Sequence, residues 1–111
     1  MTDYEKALEY VTFLGAEVVV VENLKNFCGD KIQGQWQGGK KIVINEQHKT
    51  ADVLLHELGH MVAGRSCCRE HEEKNAQAIA QLVAKQLHIK LTQDIAGRYI
   101  GFSKCPKGEL T

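Results

Sequence analysis

Residues 56–60 read His-Glu-Leu-Gly-His, and this spacing constrains the chain more than any other stretch. On a helix, positions four apart lie on one face a turn from each other, so His56 and His60 turn two imidazoles toward one point. Two imidazoles so placed can hold one metal ion, and Glu57 between them can reach a water on that ion. This is the pattern of zinc hydrolases, with His56 and His60 as ligands and Glu57 as general base. The competing reading is a helix whose two histidines only make core or surface hydrogen bonds.

The flanking residues agree with a helix. Thr50 or Asp52 can cap its start, and Gly64 stands where a C′ glycine would stop it. Leu54, Leu58 and Met61 form a stripe for a core, while Val53, His56, Glu57 and His60 fall on an adjoining face expected to look into a cleft. Gly59 costs about 1 kcal/mol of helix propensity relative to alanine. Two reasons for it compete: close approach of backbone or substrate to the metal, or packing of the helix against a strand.

A chain of 111 residues, 43% of them hydrophobic, is expected to form one domain over residues 1–111 with a modest core. Its net charge of zero argues against the basic footprint of direct nucleic-acid binding. No run approaches 18 apolar residues and the N-terminal stretch lacks a signal-peptide pattern, so no membrane span is expected and a cytoplasmic location is. Cys28, Cys67, Cys68 and Cys105 form no C-x-x-C pair and read as reduced thiols. A second zinc site from Cys67 or Cys68 with His71 is a minor alternative.

Along the chain, Thr2 and Glu5 form a capping box ahead of a helix over residues 3–14, with Tyr4, Ala7, Leu8, Val11 and Leu14 inward and Gly15 at its end. Residues 16–21 are a β-branched run expected as a buried strand. Residues 31–36 and 41–45 flank Gly38-Gly39 and read as a hairpin, with Ile42 and Ile44 on one face. Three strands in an antiparallel or mixed sheet follow, and the strand over residues 42–45 is expected along a substrate cleft, by analogy with the edge strands of zinc peptidases. After Gly64, a long helix over residues 70–88 puts Ala76, Ile79, Ala80, Val83 and Leu87 on its core face. Thr92 caps a last short helix with Ile95, Tyr99 and Phe102 inward, and residues 103–111 read as a flexible tail.

A catalytic zinc site usually takes three protein ligands and a water. Glu73 heads the inward stripe of the long helix, where a buried carboxylate needs a cation, and is the first choice for the third ligand. Glu72 lies one step round the helix, and His71 is the other alternative; Glu70 reads as helix-start charge. His71 and Tyr99 are the candidates for stabilising an oxyanion.

Three stretches then resemble the ImmA/IrrE group of small bacterial and phage zinc metallopeptidases. They are Lys41-Ile42-Val43-Ile44-Asn45, the segment from Asp52 to Gly64 with its H-E-L-G-H, and Glu73-Lys74-Asn75-Ala76-Gln77-Ala78-Ile79-Ala80, which is similar to the group's E-x-x-A-[ND]-x-F-A helix. Gln77 stands for the usual Asn or Asp, and Ile79 for the usual Phe; the resemblance gives the first of these positions a supporting role beside a metal ligand. It implies an α+β zincin-like domain, a three-stranded sheet packed against the H-E-x-x-H helix and the long helix that follows. It also implies Zn²⁺ held by His56, His60 and Glu73, catalysis by Glu57, and cleavage in the cytoplasm of a protein or peptide substrate, a helix-turn-helix repressor encoded on the same mobile element among them. Mn²⁺ is the alternative ion. The competing functions are a non-catalytic zinc-binding antirepressor or partner-binding module, and an antirestriction-type metallopeptidase domain.

Overall fold

Thr2 starts the first helix as its sequence requires: its Oγ1 accepts from the Glu5 N–H at 3.1 Å, and the Glu5 carboxylate accepts from the Thr2 N–H at 3.1 Å. A computed structural model describes the chain over residues 1–25, 29, 31–65 and 69–91, the side chain of Glu70 excepted. Helix α1 spans Asp3–Phe13, strand β1 Glu17–Val21, β2 Gly34–Trp36, β3 Lys41–Asn45, helix α2 Ala51–Ala63 and helix α3 Arg69–Leu87, with a 3₁₀ turn at Glu46–His48. The short helix, the oxyanion candidate Tyr99, the tail and the four cysteines lie outside the described residues.

Helix α1 buries Ala7 and Val11, but Leu14 is its exposed C-cap rather than part of the inward stripe. The chain leaves through Gly15 at φ +91°, which lets the Ala16 N–H donate back to the Val11 carbonyl.

The sheet is three-stranded and mixed, in the order β1-β3-β2. β1 runs parallel to β3, Val18 beside Ile42 and Val20 beside Ile44. β2 runs antiparallel to it, Trp36 opposite Ile42 and Gly34 opposite Ile44, through a turn whose Gly38 and Gly39 both take positive φ. Two expectations are corrected. The run over residues 16–21 gives an edge strand, Glu17–Val21, half-exposed and with Val20 40% open to solvent, because among the described residues it has a partner on one side only. The strand over residues 42–45 is central, flanked on both sides and buried from Ile42 through Asn45, so it has no free edge to offer a substrate.

Ile42 and Ile44 face the helices and join Leu54, Leu55, Leu58, Val11, Ala80 and Ala84 in one apolar core. α2 lies between the sheet, α1 and α3, and Ala51 through Gly59 are all buried, so it is enclosed all round rather than amphipathic. Thr50 is its N-cap, accepting from the Val53 N–H at 3.4 Å, while Asp52 lies within the first turn; Gly64 at φ +74° closes the other end.

α3 ends one residue before His88, which sits at φ +58° and donates its N–H to Lys85 O while Ile89 N–H reaches Ala84 O. A left-handed conformation strains a residue with a Cβ. His88→Gly is therefore expected to raise stability by about 0.5 kcal/mol, the relief of strain outweighing glycine's greater freedom when unfolded. A thermal midpoint that stays put or falls would contradict it.

Candidate metal centre

The site is built where α2 crosses α3. Gly59 makes the crossing: a Cβ there would lie 2.1 Å from the Ala76 carbonyl oxygen and 2.6 Å from Ala76 Cα. Of the two readings of this glycine, packing holds, but the surface against it is a helix and not a strand. The close approach brings residues 73 and 77 of α3, one turn apart, over His56 and His60 of α2.

His56 is 1% exposed and Glu73 6%. His56 Nε2 stands 2.6 Å from Glu73 Oε2, and His60 Nε2 3.3 Å from the same oxygen. The other nitrogen of His56, Nδ1, is 2.9 Å from Gln77 Oε1. An amide oxygen accepts only, so Nδ1 carries the proton and Nε2 is left to face the carboxylate. Two acceptors at 2.6 Å need a cation between them, either a second proton or a metal ion. Gln77 thus fixes the His56 ring from α3 through an uncharged amide.

The electrostatics follow. Burial draws the His56 imidazolium down, but the Glu73 hydrogen bond, with the Glu57 charge and the Gln77 bond, outweighs it and leaves the pKa raised. Burial draws the Glu73 carboxyl up, and the hydrogen bonds and charges of His56 and His60 overcome it and hold the group at about 2. Glu57 is pushed up by burial, against the pull of His56, His60 and a backbone N–H from Trp36. A carboxylate raised in this way is a stronger proton acceptor near neutral pH.

Glu57 reaches β2. A Cβ on Gly34 would meet Val53 at 2.8 Å and the Glu57 side chain at 3.2 Å, so this strand position admits no side chain while Glu57 stays put. β2 thus roofs the face of α2 expected to line an open cleft. Val53, His56 and Glu57 are buried, and His60, its side chain 13% exposed, is the histidine through which the site opens.

One ligand atom each of His56, Glu57 and His60 falls within 4.8 Å of the others. Glu73 nonetheless fits the third ligand better than Glu57, because its one oxygen already touches both imidazoles whereas the Glu57 carboxylate accepts from Trp36. Ligands about 2.0–2.1 Å from a tetrahedral zinc ion stand roughly 3.3 Å apart. The His60–Glu73 separation of 3.3 Å has that value, and the 2.6 Å between His56 and Glu73 requires a carboxylate shift of less than about 1 Å. His71 and Glu72 are half-exposed, and the two imidazoles meet Glu73 instead.

Composition gave no signal for Trp36 or Gly34 as neighbours of Glu57; the glycine inside a strand pattern was the trace available. No protein-family profile, no curated protein and no solved structure matches the chain.

Proposed function

We propose that this domain is a zinc-dependent metallopeptidase of the zincin type, with His56, His60 and Glu73 as ligands and Glu57 as general base. The observation that carries the reading is the convergence of both Nε2 atoms on one Glu73 oxygen, beside a buried glutamate of raised pKa. A bound zinc ion would supply an acidified water and polarise the scissile carbonyl. Gln77 holds His56 in the tautomer that leaves Nε2 free to bind. Glu57, with Trp36 N–H fixing its carboxylate, accepts a proton from the attacking water and passes it to the leaving amine. The substrate is a protein or peptide, and the resemblance in residues 41–45, 52–64 and 73–80 extends the proposal to an intracellular helix-turn-helix repressor.

Glu57→Gln tests this. The zinc content should stay at about one ion per chain, while hydrolysis of an unstructured protein, followed as new amino termini, falls by roughly 10²–10⁴. One observation favours the second reading, a zinc-binding module without catalysis: the Trp36 N–H gives Glu57 a structural partner. On that reading Glu57→Gln loses stability but no biological activity. Among the described residues, no helix is long and apolar enough to cross a membrane.

A further inference from the structure

Trp36 lies on β2, the strand packed against Glu57, and carries an arginine over its ring. Its backbone N–H donates to the Glu57 carboxylate. Its indole Nε1–H donates to the Gly39 carbonyl at 3.0 Å, which fixes the ring. The guanidinium of Arg65 then lies over that ring, Cζ 5.0 Å from the centroid. Arg65 is exposed and directly follows Gly64, the cap of α2. An exposed arginine ordinarily moves freely, and ordering it for a ligand costs rotamer entropy. Here the indole holds the planar group in place, so part of that cost is met in advance. A stacked guanidinium keeps its edge N–H donors available, and their fork matches the two oxygens of a carboxylate.

We infer that Arg65, seated on Trp36, is a specificity-determining residue that selects peptide substrates carrying a carboxylate close to the bond presented to Glu57. The inference rests on the metallopeptidase reading and deepens it. Two sources can supply that carboxylate, an aspartate or glutamate side chain or the free C-terminus of the substrate, and the test separates them.

The experiment uses the full chain carrying Glu57→Gln and loaded with zinc, so that peptides bind without turnover. Two mixtures of randomised hexapeptides are offered, one N-acetylated and C-terminally amidated, the other with a free C-terminus, and the bound fraction is sequenced by mass spectrometry. In the amidated mixture, aspartate and glutamate should be enriched about threefold to tenfold at one position. Enrichment by the free C-terminus alone, in the second mixture, would identify the terminal carboxylate as the source. Adding Arg65→Gln should abolish the preference, and Arg65→Glu should turn it toward lysine and arginine, which loss of packing alone would not do. Trp36 is the single tryptophan of the chain, so its emission should shift when acidic peptides are added and stay unchanged with their amide counterparts. No carboxylate enrichment in either mixture, no capture of any peptide, or an enrichment that survives Arg65→Gln would overturn the inference. A chain with Glu57 in place that fails to cleave these peptides, while the Arg65-dependent enrichment persists, would instead overturn the peptidase reading alone.

Discussion

Gly59→Ala is expected to destabilise the domain by about 2–3 kcal/mol, the range of an overpacked core site, and to lower its thermal midpoint by about 10–20 °C. Helix propensity taken alone gives the opposite sign, since alanine is better than glycine by about 1 kcal/mol inside a helix. The new methyl group would have to occupy space 2.1 Å from the Ala76 carbonyl oxygen and 2.6 Å from Ala76 Cα. Both are backbone atoms of a helix, which cannot rotate aside as a side-chain tip can. α2 and α3 must therefore separate, and Glu73 and Gln77, flanking Ala76 on α3, move away from His56 with it. Zinc affinity should fall together with stability although no ligand has changed. Thermal unfolding by circular dichroism, with metal titration of the same sample, checks both. A midpoint raised by the propensity gain would mean that the helices do not meet at this residue.

That glycine shows where reading from sequence stops. Its cost to the helix is legible locally, but its benefit comes from Ala76, seventeen positions further on. Local features were readable for local reasons: the Thr2–Glu5 box, the glycines of the hairpin, Thr50 and Gly64 bounding α2, and the stripe of Ala76, Ala80 and Val83 on α3. Each is decided by contacts three or four residues apart or by a single backbone dihedral. The order of the strands is not of that kind. A run of valines suits an edge strand with one buried face as well as a central one, and only the pairing of β3 on both sides distinguishes them. For the same reason α2 showed an apolar stripe and a polar face, yet its polar face is covered, by β2 near Gly34 and by α3 near Gly59. Within the site, the i, i+4 pair was readable from spacing and Glu73 from its place on the inward stripe. The link from Trp36 N–H to Glu57 was not, because a backbone donor carries no residue signature.

Glu73→Ala is expected to lower zinc affinity by more than about a hundredfold at neutral pH, beyond what loss of a partner outside the ligand set costs. Glu72→Ala and His71→Ala should change it little, since both imidazoles contact Glu73. The pH dependence carries the sharper test. Zinc competes for His56 Nε2 with the proton that His56 shares with Glu73. With the His56 pKa raised, the native chain should lose affinity by about tenfold per pH unit once the pH falls below that pKa. Glu73 itself, held at about 2, stays ionised throughout a titration from pH 8 to about 5 and adds nothing to the slope. Removing Glu73 takes away the largest influence holding the proton on His56, while burial still opposes it. The imidazole of Glu73→Ala therefore deprotonates at lower pH, and its zinc affinity begins to fall later. The gap between the two proteins should be widest at neutral pH and narrow toward pH 5, as measured by competition with a chelating dye. Parallel curves would assign Glu73 a role in folding rather than in holding the ion. Equal affinities would move the third ligand to another residue and withdraw the proposed centre as drawn.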